Sequence, residues 1–159
     1  MKELSMFAKV VDDATIPVRG TPDSAGVDVF LYTEKLFVDG FLESGNPKYI
    51  RMEKIEPNET KLLRSGIRLK EPLPRGYYIQ MSLRSSWRKK GLSSHGVGII
   101  DGDYPDEIMH LVHNTTDKPI YIHNGERLSQ FVVHAHHTQM LGCEIINKER
   151  TGGFGSTGK

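Results

Sequence analysis

The ten residues Arg150-Thr-Gly-Gly-Phe-Gly-Ser-Thr-Gly-Lys159 combine one arginine, four glycines, one aromatic ring and three hydroxyls. Arg150 can grip a phosphate as a fork. Ser156, Thr157 and glycine N–H groups can bind phosphate oxygens, and Phe154 can stack on a base. Glycine loses more entropy on ordering than any other residue, so composition alone predicts a flexible terminus here. Three other segments carry related chemistry. Leu83-Arg-Ser-Ser-Trp-Arg-Lys-Lys-Gly-Leu92 sets two hydroxyls, Ser85 and Ser86, beside Arg84; it reads either as a solvated charge run or as a phosphate site. Gly96-Val-Gly-Ile-Ile-Asp-Gly-Asp-Tyr104 offers a carboxylate, Asp101, at a turn, where Gly98 lets backbone approach a ligand. Gly125-Glu-Arg-Leu-Ser-Gln-Phe131 opens an apolar run with Arg127 and Gln130.

These residues need elements to position them. The apolar pattern is short and alternating, which predicts strands at Val27–Tyr32, Tyr77–Leu83, Ile108–His113, Tyr121–His123 and Phe131–His136. Turn signals separate them, among them Glu56-Pro-Asn, Pro74-Arg-Gly, Asn114-Thr-Thr-Asp and His123-Asn-Gly. Asp101-Gly102 between an apolar run and an aromatic predicts a two-residue hairpin turn. No amphipathic helix longer than two turns is evident. Many short strands predict an all-β barrel or sandwich. Residues 35–49 break the rhythm and read as an inserted loop or an extra hairpin. Asp28 falls inside the apolar run Val27–Val29, so its carboxylate must either pair with a buried cation or work in a site. His134, His136 and His137 invite a metal reading, and positions 134 and 136 share a strand face, but no carboxylate or cysteine stands near in sequence to complete the set, and surface histidines are the plainer reading.

Composition limits the function classes. A chain of 159 residues predicts one domain with a real core. A net charge of +1 supplies no field for nucleic acid or an anionic membrane. The single cysteine, Cys143, allows no intramolecular disulfide and no cysteine metal knuckle. The first residues, MKELSMFAKVVDD, contain no long apolar run, so neither a signal peptide nor a membrane span is expected, and a reducing, cytoplasmic compartment follows as the default.

Taken together the segments resemble the homotrimeric all-β dUTPase family. Five ordered motifs carry the resemblance: Ser24-Ala-Gly-Val-Asp-Val29, Arg84-Ser85-Ser86 with Gly91 following, Gly98-Ile-Ile-Asp-Gly-Asp-Tyr104, Gly125-Glu-Arg-Leu-Ser-Gln130, and Gly152-Gly-Phe-Gly-Ser-Thr-Gly158. The resemblance implies a distorted jelly roll over residues 1–148, with 149–159 as a tail that closes the site. It implies conversion of dUTP to dUMP and pyrophosphate, with Asp101 as the general base for a water attacking the α-phosphate. Tyr104 would pack on the deoxyribose. His95, Gly98, Ile99 and Ile100 would read uracil, with Met109 in the same pocket; position 95 is usually Asn in the family. Arg84, Ser85, Ser86 and Gln130 would hold phosphates and water. Arg150, Phe154, Gly155, Ser156 and Thr157 would close over the nucleotide, and Asp28 and Arg127 would support the site. Mg²⁺ would be held by the triphosphate and water, with no direct protein ligand. The site would be assembled from three copies of the chain.

Two other classes share features with this chain. A dCTP deaminase has an Arg-Ser-Ser-x-x-Arg pattern, which Arg84-Ser85-Ser86 begins, with Arg88 one position short of its last arginine, but it places a glutamate three residues before an asparagine; here Leu111 stands at that distance from Asn114. A non-catalytic protein of the same fold could bind a protein partner through residues 35–49.

Overall fold

The computed structural model describes residues 6–145. In chain order they form β1 (Phe7–Lys9), β2 (Val18–Arg19), β3 (Val27–Phe30), β4 (Leu36–Phe41), β5 (Pro47–Ile55), β6 (Thr60–Arg64), β7 (Ile67–Leu69), β8 (Tyr77–Leu83), helix α1 (Ser85–Lys89), β9 (Leu92–Ser93), β10 (Gly98–Asp101), β11 (Met109–Asn114), β12 (Ile120–His123), β13 (Arg127–Ala135) and a 3₁₀ turn at Thr138–Leu141. All strand pairs are antiparallel. The largest sheet runs in the order β10-β8-β13-β3-β2; the smaller ones are β6-β11-β9, β12-β5-β4 and β1-β7. The fold is an all-β jelly roll.

Alternation explains which faces are buried. In β8, Ile79, Met81 and Leu83 point inward; with Val29, Ile100, Ile108 and Phe131 all but Leu83 form one apolar cluster. Leu83 belongs to a second cluster with Leu31, Ile55, Leu63, Trp87, Val112, Ile122 and Leu128. β11 is unusual, because two of its three buried residues, His110 and Asn114, are polar. Asn114 is fully satisfied: its amide donates to the carbonyls of Ile55 at 3.0 Å and Lys118 at 2.7 Å, and its oxygen accepts from Thr116.

The expected strands at Tyr77–Leu83, 108–113 and 121–123 lie on β8, β11 and β12. The strand expected over Val27–Tyr32 ends at Phe30. Beyond it Leu31 donates its N–H to Glu126 and Tyr32 bridges to Arg64, so the chain there leaves one sheet for another. Residues 36–55 form a long hairpin, with Val38 opposite Tyr49 and Phe41 opposite Pro47. The two-residue hairpin expected at Asp101-Gly102 is not formed. A turn is present, with Tyr104 N–H donating to the Asp101 carbonyl at 3.1 Å, but β10 pairs with β8 while β11 pairs with β6 and β9. Close packing explains the glycine: a Cβ on Gly102 would lie 2.8 Å from the Tyr77 carbonyl oxygen and 3.2 Å from Leu73 Cβ.

Candidate active site

β8 runs straight into α1, and Arg84 sits at the junction. Its backbone is extended, its N–H donates to the Leu128 carbonyl at 3.0 Å, and its carbonyl starts the helix by accepting from Trp87 and Arg88. Trp87 is the only buried residue of α1; its indole N–H donates to the Arg127 carbonyl at 3.0 Å, and the Lys90 ammonium lies 4.1 Å from its ring centroid. Gly91, at φ +92°, ends the turn in a conformation that L side chains resist. The segment is therefore anchored by Trp87 while its charged side chains stay in solvent. It is a docked turn that leaves Ser85, Ser86, Arg88, Lys89 and Lys90 exposed.

Asp28 supplies the centre of this region. Its two carboxylate oxygens meet two arginines, Arg84 Nε at 2.9 Å and Arg127 Nη1 at 3.1 Å. The side chain of Asp28 is 12% exposed and that of Arg127 is 51% exposed, so the cluster opens toward solvent on its cationic side. One carboxylate balances one guanidinium; the second positive charge remains. A guanidinium has five N–H donors, so both arginines keep donors for an anion. Gln130 lies opposite Asp28 on one side and Ser82 on the other. Cross-strand partners share a face, so Asp28, Gln130 and Ser82 stand on one surface. Ser82 is absent from the residues picked out of the sequence, although alternation back from Arg84 would have found it.

Asp101 stands elsewhere. It is exposed, ends β10, and lies opposite Tyr78, near the start of β8. Arg84 follows the last residue of β8. Six residue steps separate Tyr78 from Arg84, roughly 20 Å at the usual rise. Gly98, Ile99 and Ile100 run between them along β8; Ile99 is exposed and Ile100 is buried. Tyr104 is buried, and its hydroxyl donates to the Glu107 carbonyl at 3.2 Å. Glu107 itself anchors the exit of the segment, because its carboxylate accepts from Arg64 at 3.0–3.2 Å and from the Gly66 N–H at 2.7 Å. No sequence feature marked that pair. Met109 is on a different sheet, opposite Arg64. His95 adopts φ +52°, its N–H donates to Ser93 Oγ at 3.1 Å, and its ring lies 4.5 Å from that of His113. Of the other histidines, His134 stacks on Tyr78 at 5.4 Å, and among the described residues no group of three His, Cys, Asp or Glu could hold a metal ion. Arg150, Phe154, Gly155, Ser156 and Thr157 lie outside the described residues.

The chain thus presents an antiparallel jelly roll with a solvent-facing pair of arginines fixed on a part-buried carboxylate. That makes it an all-β protein with two cations gathered on one carboxylate. A family model, that of dUTPase, matches residues 49–158. The deoxyuridine 5'-triphosphate nucleotidohydrolase of Lactococcus lactis is 36% identical over 151 residues, covering 90% of this chain and 87% of that protein. The crystal structure of dUTPase from Streptococcus mutans matches with TM-score 0.63 at 26% identity, over 82% of this chain and 95% of that one. A mutant dUTPase from phage phi11 of S. aureus, which coordinates a structural Mg(II) ion, shares the fold at TM-score 0.64 and 16% identity, over 94% and 97% of the two chains. This chain belongs to the dUTPase family, and it is a hydrolase of nucleotide metabolism.

Proposed function

We propose that the chain converts dUTP to dUMP and pyrophosphate in a site shared between copies of itself. The observation that carries the reading is the placement of its two charged halves. Arg84 and Arg127 form a fixed cationic grip on Asp28, while Asp101 lies at the far end of β8. A general base must come within about 3 Å of the water that it activates, so a phosphate held at Arg84 is out of reach of the same chain's Asp101. A second copy supplies the missing half, and the homotrimer of the family resemblance satisfies this by cyclic symmetry.

In the assembled site Arg84, Arg127, Ser85, Ser86 and Gln130 hold the triphosphate. Asp101 takes a proton from water; the water oxygen bonds to the α-phosphorus; the bond from that phosphorus to the bridging oxygen breaks, and pyrophosphate leaves. Phosphoryl transfer asks a protein chiefly for positioning and charge neutralisation, which this donor set supplies without a serine or cysteine nucleophile. Mg²⁺, bound through the triphosphate and water, would neutralise further charge. His95, with Gly98, Ile99 and Ile100, lines the edge that reads uracil, Met109 lies in the same pocket, and Tyr104 backs the deoxyribose. Residues Arg150, Phe154, Gly155, Ser156 and Thr157 close the site. We place the enzyme in the cytosol, where a lone exposed thiol such as Cys143 remains reduced.

Hydrolysis of dUTP, dCTP, dTTP and UTP measured side by side with Mg²⁺ tests the reading. Fast release of pyrophosphate from dUTP alone is expected; ammonia from dCTP, or equal turnover of all four, would overturn it. One observation supports an added role for the hairpin: Leu36, Val38, Phe41 and Tyr49 are all more than half exposed, which suits contact with a protein partner. Loss of such a partner on Phe41→Ser, with hydrolysis unchanged, would separate that role from catalysis.

A further inference from the structure

β13 departs from regular pairing with β3 at one place. Arg127 lies opposite Phe30 and Ser129 opposite Val29, so β13 carries one extra residue, Leu128, at this point. Such a bulge reverses the alternation of faces beyond it. Without it, Leu128 would oppose Phe30 and Arg127 would oppose Leu31, on the buried face. With it, Arg127 joins Phe30, Asp28 and Gln130 on the open face, and its guanidinium reaches Asp28 at 3.1 Å. Leu128 and Ser129 are both buried in consequence.

A bulge leaves ladder groups without strand partners, and buried ones must be satisfied elsewhere. The Arg127 carbonyl takes the Trp87 indole N–H at 3.0 Å, while on the other side of β13 the Leu128 carbonyl takes the Arg84 N–H at 3.0 Å and continues the pairing with β8. The Phe30 carbonyl lies 3.1 Å from His110 Nε2, and the other ring nitrogen of His110, Nδ1, lies 2.8 Å from Ser129 Oγ. His110 comes from the opposing sheet, on β11, and is 1% exposed. A neutral imidazole has one donor and one acceptor. Here Nε2–H donates to Phe30 and Nδ1 accepts from the Ser129 hydroxyl, so one ring grips both strands across the bulge.

We propose that His110 is a positioning residue for the anion grip: by clamping Phe30 of β3 to Ser129 of β13, it holds the bulge that turns Arg127 toward Asp28. The inference rests on the reading of Arg127 and Asp28 as part of the phosphate site. His110 touches no substrate, and acts through the strand register.

The test measures binding of inorganic pyrophosphate by calorimetry, and kcat and KM for dUTP, in the wild type, His110→Leu, His110→Gln, Ser129→Ala and Arg127→Ala. Gln keeps one donor and one acceptor; Leu keeps neither. Losing a buried hydrogen bond of this kind should weaken pyrophosphate binding and raise KM by about 3- to 10-fold in His110→Leu and Ser129→Ala, with kcat little changed and with recovery in His110→Gln. In an Arg127→Ala background the same substitutions should add nothing. If His110→Leu does not fold, Ser129→Ala and His110→Gln carry the comparison. Unchanged pyrophosphate affinity in Ser129→Ala, or effects that simply add to those of Arg127→Ala, would overturn the inference. Absence of dUTP turnover in the wild type would instead overturn the substrate reading and leave the pyrophosphate comparison to decide the role of His110.

Discussion

Two regions of this molecule carry candidate chemistry, and they are built in opposite ways. The arginine grip is complete within one chain: Asp28 pairs with Arg84 and Arg127, Trp87 and His110 hold the strands beneath, and every buried side-chain polar atom among the described residues has a partner. The Asp101 segment is exposed along one side, with Val97 and Ile99 both more than half open to solvent; it is held by pairing with β8 and, at its exit, by Glu107. The grip resembles a binding site prepared in advance, whereas the segment resembles half of an interface. Preparing the cationic half avoids reorganisation when an anion arrives. In the proposed reaction the base comes from another copy, which would make hydrolysis conditional on assembly.

The largest effect should come from the exposed region. Asp101→Asn should lower kcat by ~10²–10⁴-fold, the usual contribution of a general base, with KM nearly unchanged; turnover within a few-fold of the wild type would reduce Asp101 to a turn residue. The division between regions is tested next by mixing. Asp101→Asn and Arg84→Ala proteins, each inactive alone, should regain about a quarter of full activity when denatured and refolded together, because random cyclic trimers give one intact pair in four. No recovery would show that both groups act from one chain.

The prepared region should respond to acid. Burial pushes His110 down to about 4 from an ordinary 6.5, while its partner, the Phe30 carbonyl, pulls the other way. The unfolded chain therefore binds a proton between those values that the folded chain refuses, so stability is full above about pH 6.5, falls as pH drops toward 4, and changes little below it. The gap corresponds to about 3 kcal/mol. Urea unfolding between pH 7 and 4 should show this loss, and His110→Gln should flatten it. A curve of the same slope in the variant would assign the acid sensitivity to other groups. A smaller change is expected for Asp28→Asn, which leaves two guanidiniums facing a neutral amide. Because Arg127 is half exposed, water screens much of the difference, and KM for dUTP should rise about tenfold. A fall in kcat with no rise in KM would mean that Asp28 does not shape binding.

Most of the scaffold was legible in the sequence because it depends on local alternation. Ile79, Met81 and Leu83 mark the inner face of β8 at every second position. The alternatives left open at Asp28 were resolved by partners 56 and 99 residues away, Arg84 and Arg127. The hairpin expected at Asp101-Gly102 does not form for a related reason. Local turn chemistry was correct, but the strand that follows found its partners in β6 and β9, a choice made by core packing.

The sequence by itself determined the strand periods, the turns, and the residue types able to hold phosphate, since each follows from side-chain chemistry and a few neighbours. Tertiary structure alone decided which of those residues meet. Read by alternation, Arg127, Ser129 and Phe131 share a face, which would bury Arg127 beside Phe131. A single extra residue at Leu128 reverses that assignment and sends the guanidinium to Asp28. Beside the bulge His110 and Trp87, brought from distant parts of the chain, lie within hydrogen-bond distance of the Phe30 and Arg127 carbonyls, contacts that no local pattern announces.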